Sequence, residues 1–124
     1  MLTDFFVKLI DEYPASADYP QGYGFPVSDG ILRARYRDGF ERPKLMEAGK
    51  VYRIEIPLEP SANLFQAGHC IRLDIYSSSF PNFDINPNTG NPNDRQPRVA
   101  RNSIHHDRQH ASLISLPLCP LPAL

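Results

Sequence analysis

The chain predicts an all-β fold, an antiparallel sandwich or jelly roll, from three observations. Five segments alternate apolar and polar residues with a period of two, the mark of half-buried antiparallel strands. No segment carries the apolar stripe of an amphipathic helix. Thirteen prolines in 124 residues fall between the apolar segments rather than in one tract, as the punctuation of a loop-rich β protein does.

Taken in order, Phe5 to Asp11 sets Phe5, Val7 and Leu9 against Phe6, Lys8 and Ile10. Ile31 to Arg37 sets Arg33, Arg35 and Arg37 against Leu32, Ala34 and Tyr36. Val51 to Glu59 is the clearest, with Tyr52, Ile54, Ile56 and Leu58 inward against Arg53, Glu55 and Glu59. Cys70 to Ser77 points Ile71, Leu73 and Ile75 inward against Arg72, Asp74 and Tyr76. Ser112 to Leu118 offers Ile114, Leu116 and Leu118. Ser61 to Ala67 predicts one helical turn, capped by Ser61 and closed by Gly68, and Glu41 to Gly49 is a second candidate. The connectors Tyr13 to Asp29 and Phe80 to Ile104 are long, and loops of that length are usually functional or packed on something else.

A chain of 124 residues is one domain or part of one. Its formal charge of −1, with both signs mixed, provides no basic stripe for nucleic acid and no polybasic patch for a membrane. No apolar run approaches the roughly 20 residues of a bilayer span. The start, Met-Leu-Thr-Asp-Phe-Phe, lacks the features of a signal peptide, so a cytoplasmic location is expected. Cys70, on a strand, and Cys119, on a Pro-flanked tail, read as small apolar side chains rather than a disulfide.

Four patterns invite a chemical reading. Ser77-Ser78-Ser79 lacks the Gly-x-Ser-x-Gly turn that exposes a hydrolase nucleophile, and reads as hydroxyls bonding loop backbone. His106-Asp-Arg-Gln-His110, next to His105, imitates the zinc-protease pattern, but Asp107 is shorter than glutamate and the flanks are strand-like. It reads as polar residues on a turn. Asp84-Ile-Asn86-Pro-Asn88-Thr-Gly90 resembles the start of a calcium loop, yet Thr89 and Arg95 stand where glycine and a bidentate glutamate are required. Asx-turns capping a long loop account for it better. Arg33, Arg35 and Arg37 form a basic row that pairs with Asp4, Asp38 or Glu55 on this reading. No catalytic, cofactor-binding or metal residue is assigned. The most specific stretch is Gly68 to Gly90, an alternating strand feeding a stiff loop whose layout carries no chemistry.

Laid out this way, the chain resembles the C-terminal domain of the X-Pro dipeptidyl-peptidase and cocaine-esterase (CocE/NonD) hydrolases. Thr3-Asp4-Phe5 followed by Val7-Lys8-Leu9, and Ser28-Asp29-Gly30 running into Ile31 to Arg37, are similar to two of its strands. Tyr52 to Leu58, Asn63-Leu64-Phe65 and Gly68-His69 match its next strand and turn. Phe80-Pro81, Phe83-Asp84, Asn86 and Asn88-Thr89-Gly90 match its long loop. Asn102, Ile104, His106-Asp107, His110, Ser112 and Leu116-Pro117 match the closing segment. Cys70 and Tyr76 depart from residues that are usually Arg and Ser or Thr, and Asn93 to Arg98 reads as a variable insertion.

The resemblance implies a jelly roll of the galactose-binding-like type, incomplete on its N-terminal side. Residues 1–120 would be its latter part and 121–124 a tail. It implies a non-catalytic domain whose partners are the α/β-hydrolase and cap domains of one parent enzyme. Those domains would hold a Ser-His-Asp triad acting on ester or X-Pro peptide bonds, so His69, His106 and His110 are not triad members. Phe80, Phe83, Asp84 and Asn88 are the candidate interdomain packing residues. An isolated piece of this kind would expose strand edges, so poor stability or self-association is expected. The competing reading is a free-standing carbohydrate- or ligand-binding sandwich stacking its ligand on Tyr19, Tyr23 and Phe25. It ranks second because the matched residues are framework rather than an aromatic platform.

Overall fold

In the computed structural model, which describes residues 3–91 and 93–120, the backbone is almost wholly β and irregular. β1 (Asp4–Tyr13), β2 (Tyr23–Arg33) and β3 (Cys70–Tyr76) form one open antiparallel sheet in the order β2-β1-β3. The helical element among the described residues is a 3-10 turn over Ala34–Tyr36. The predicted tail, 121–124, lies outside the described residues.

β1 is central because it is apolar on both faces. Phe5, Val7 and Leu9 are buried on one side, Phe6 and Ile10 on the other, as the alternation predicts. Each such side chain contributes about 1.5–3 kcal/mol when fully buried, so β1 supplies most of the core. Asp4 and Asp11, also buried, sit near its two ends and hold their neighbours by hydrogen bonds.

β2 corrects two expectations at once. The Tyr13 to Asp29 connector contains a strand from Tyr23, and Ile31 to Arg37 is strand only as far as Arg33. Gly24, Pro26, Ser28 and Asp29 are poor strand formers, which hid its first half. Proline is tolerated there because the register shifts beside it: Leu9 faces Ser28 and Ile10 faces Pro26, leaving Val27 as the bulged residue. The strand ends where β1 ends. Asp4 is the last partner, opposite Arg33, and the Ala34 amide then bonds the Thr3 carbonyl as the chain curls into its 3-10 turn.

β3 pairs with β1 as predicted, Leu73 opposite Leu9 and Ile75 opposite Val7. Its far edge carries no further strand among the described residues. The other two expected strands form no ladder with the sheet. Val51 to Glu59 nevertheless keeps its alternation, with Tyr52, Ile54, Ile56 and Leu58 half-buried and Arg53, Glu55 and Glu59 exposed. It lies against β2, where the Glu59 amide bonds the Asp29 carbonyl at 2.9 Å and Ser28 Oγ donates to the Glu59 carbonyl at 2.6 Å. A side chain at Gly30 would collide with the Pro57 carbonyl oxygen. Ser112 to Leu118 is unpaired and exposed except at Leu116. Neither predicted helical turn forms. Around Gly68 a simple turn closes through the His69 amide and the Gln66 carbonyl, with Gly68 at φ 90°.

Candidate functional site

Both faces of the sheet are buried at β1 and exposed at β3. On one face, Phe6 packs against Tyr76 and Phe83, each with ring centroids 6.1 Å away. On the other, a cavity of about 2350 Å³ separates Val7, Leu9, Ile71, Leu73 and Ile75 from the 46–65 and 101–119 segments. Ile71 is 53% exposed, and Leu73 and Ile75 41% each. The sequence sets these three inward. They do face the cavity, but nothing among the described residues fills it to the density of a protein interior. A face of this composition is built to be covered.

The long loop after β3 covers part of the Phe6 face, is tied to the sheet by Asn86 and is held in shape by Asn88. Asn86, buried, donates from Nδ2 to Asp4 Oδ1 at 2.7 Å, while Arg33 Nε lies 3.3 Å from the same carboxylate. Asn88 donates from Nδ2 to the Arg98 carbonyl at 2.8 Å, and its amide bonds Asn86 Oδ1 at 3.0 Å. That last bond is an Asx-turn, and further ones run from Asn91 to Asn93 and from Asp94 to Gln96. Asn88 takes the left-handed conformation, φ 61°, which asparagine tolerates. The loop is a capped turn, as its composition suggests.

Of the four expected packing residues, Phe80 is 69% exposed and Asp84 is also exposed. Phe83 turns partly onto Phe6, and Asn88 is spent within the loop. Sequence reasoning missed Asn86 as the anchor. The available signal was an asparagine beside Pro87, two residues before a second asparagine, but its partner Asp4 lies 82 positions away.

Three other groupings have clear outcomes. Arg33, Arg35 and Arg37 do not form one row: Arg33 pairs with Asp4, and Arg35 is buried. Arg37 donates to the Ala34 and Lys44 carbonyls and lies 4.6 Å from the Tyr52 ring. The other expected acids bind elsewhere, Asp38 to Lys44 and Glu55 to Arg53. Tyr19 and Tyr23 tilt 37° against each other, and Tyr13 and Tyr23 64°, so they make no flat stacking surface. Cys70 and Cys119 are both free.

Two histidine clusters remain. His69 Nδ1 lies 2.8 Å from Asp11 Oδ1, Asn63 Nδ2 donates to Asp11 Oδ2 at 3.0 Å, and the Tyr13 ring sits 4.0 Å from the imidazole. The distance is that of a histidine and its orienting carboxylate, but both side chains are buried and no serine hydroxyl bonds His69 among the described residues. It is a structural bond closing the far end of β1. At the other end of the chain, His105, Asp107 and His110 bring their ligating atoms within 4.8 Å of one another. His106, half of the zinc-protease pattern, is not in this cluster, and His105 takes its place. The amides of His110 and Gln109 donate to Asp107 and hold its carboxyl below the usual carboxylate range.

Comparison with known proteins agrees with this inventory of framework without chemistry. Residues 2–115 match the family described as X-Pro dipeptidyl-peptidase C-terminal non-catalytic domain. The chain is also 38% identical over 120 residues to the cocaine esterase of Rhodococcus sp. (strain MB1 Bresler). That alignment takes in 94% of this chain but only 20% of the relative, so the chain spans about a fifth of that enzyme. With a family match over nearly its whole length and a relative at this identity, the chain belongs to the X-Pro dipeptidyl-peptidase C-terminal non-catalytic domain family.

Proposed function

We propose that this domain braces the α/β-hydrolase domain of a serine hydrolase that cleaves ester or X-Pro peptide bonds, and contributes no catalytic group itself. The observation that carries this reading is the open sheet face: Ile71, Leu73 and Ile75 line a cavity of about 2350 Å³ that the described residues leave unfilled. Apolar area of this kind stabilises a fold only when another surface covers it. A second layer of a jelly roll, with the hydrolase domain beyond it, supplies that cover. On the opposite face, the loop tied to Asp4 by Asn86 presents Phe80 and Ile85, 69% and 60% exposed, as a separate apolar rim for a neighbouring domain. Phe83 and Asp84 complete the rim, and the cap domain is a second neighbour of the assembled enzyme.

Division of labour follows. In the parent, a serine attacks the acyl carbon with histidine as general base and aspartate as its orienter. Esters and amides share that route, so this domain influences rate only by holding the cleft in shape. The test is turnover by the purified chain of an activated ester and of an X-Pro anilide. None is expected. Turnover abolished by a serine-directed inhibitor would overturn the non-catalytic assignment. A coding region upstream of Met1 with no in-frame Gly-x-Ser-x-Gly segment would overturn the assignment of the hydrolase partner.

A further inference from the structure

We infer that the turn carrying His105, Asp107 and His110 binds a divalent transition-metal ion of the zinc class, as a staple at the rim of the open cavity. Two imidazoles and one carboxylate are a donor set that suits zinc, nickel or copper and is poor in the oxygens that calcium and magnesium require. The geometry is close to what such an ion needs. His105 Nδ1 lies 3.8 Å from Asp107 Oδ2, and His110 Nδ1 lies 3.7 Å from Asp107 Oδ1. Tetrahedral zinc with bonds of about 2.0–2.1 Å sets its donors about 3.3 Å apart, so the two His–Asp107 separations are a few tenths of an ångström longer than that, while the whole donor set lies within 4.8 Å.

The turn is already shaped for this. Asp107 Oδ1 accepts the amides of Gln109 and His110 at 2.8 and 2.9 Å, which fixes the carboxylate with Oδ1 toward His110 and Oδ2 toward His105. Ser112 Oγ donates to the His105 carbonyl and closes the turn from outside. The two rings stand 5.2 Å apart, and among the described residues no other His, Cys, Asp or Glu joins the cluster. All three residues are exposed, so water completes the coordination and affinity is modest. His105 and His110 also line the cavity, and an ion there would fix the 101–119 return segment over the sheet.

Isothermal calorimetry with zinc alone on the purified chain tests this, using the Cys70→Ser/Cys119→Ser background so that thiols do not compete. One equivalent is expected to bind. His105→Ala and His110→Ala should each weaken binding at least tenfold, Asp107→Asn severalfold, and His106→Ala less than twofold. Zinc should also slow amide exchange across residues 105–112, a readout independent of any enzymatic activity. Absence of binding at millimolar zinc would overturn the proposal. So would a loss on His106→Ala as large as that on His105→Ala, which would mean loose capture by neighbouring histidines.

Discussion

Replacing Asn86 by alanine tests whether the long loop is fastened to the sheet where the structure places it. Asn86 makes two bonds, a charge-assisted one to Asp4 at 2.7 Å and an Asx bond from the Asn88 amide at 3.0 Å. Hydrogen bonds to charged groups contribute about 1.5–3 kcal/mol net, and neutral ones about 1 kcal/mol. The alanine variant should therefore lose about 2–4 kcal/mol, a large share of the roughly 5–15 kcal/mol that holds a domain together. Asn86→Asp is a sharper probe. It sets a second carboxylate at 2.7 Å from Asp4, which is 3% exposed, and Coulomb's law at an effective dielectric of about 20 gives about 6 kcal/mol of repulsion. Relief requires a proton or a loop that swings away. Urea unfolding followed by tyrosine fluorescence at neutral pH should rank the parent above Asn86→Ala and Asn86→Ala above Asn86→Asp. An alanine variant within about 0.5 kcal/mol of the parent, or an aspartate variant more stable than the alanine one, would refute the reasoning.

Gly30→Ala should push the 57–59 segment off β2, because its methyl meets the Pro57 carbonyl oxygen and lies 3.2 Å from Leu58 Cδ2. A loss of about 1–3 kcal/mol in the same unfolding assay is expected. Asp74 is held below the usual carboxylate range by hydrogen bonds from Arg72 and then Tyr76. Its contribution to stability is thus present above the ordinary carboxylate pKa of about 3.9 and lost as pH falls through its lowered folded value. The Asp74 carboxyl followed by NMR should titrate below that of a free aspartate, and Arg72→Gln should bring it back up. Two open β3 edges laid antiparallel about Leu73 would set Arg72 opposite the second copy's Asp74. Sedimentation velocity should therefore show self-association that Arg72→Asp weakens and Arg72→Asp/Asp74→Arg restores, whereas equal association in all three would exclude this register.

How legible each strand was depended on whether its own residues or a distant partner made it. β1 and β3 were plain in the sequence, because alternation across Phe5 to Ile10 and Ile71 to Tyr76 is a local signal. β2 was half hidden. Its glycine, proline and serine positions are viable only because β1 supplies ten partners and a bulge absorbs Val27. Its end was misplaced for the matching reason, since Leu32 to Arg37 alternates well but β1 has stopped at Asp4. Val51 to Glu59 shows the converse. Its half-buried face is right, yet no strand in the sheet pairs with it. Alternation reports which face is buried, while ladder membership depends on a neighbour that the pattern does not name.

The same split explains the site. Asx-turns in the long loop were readable because donor and acceptor lie two residues apart. Asn86–Asp4 and His69–Asp11 were not, because 82 and 58 positions separate the partners. Both aspartates sit near the ends of the one strand that is buried on both faces, and each accepts a side-chain bond from a segment far along the chain. A carboxylate withdrawn from water is costly unless its lone pairs are met, so each of these bonds fixes a crossing segment in one place. Asp4, Asp11, Asn86 and His69 are therefore the fasteners of the scaffold. The family's non-catalytic description is consistent with this use of polar groups: Asp11 and His69 are occupied with each other, and Asp4 with Asn86.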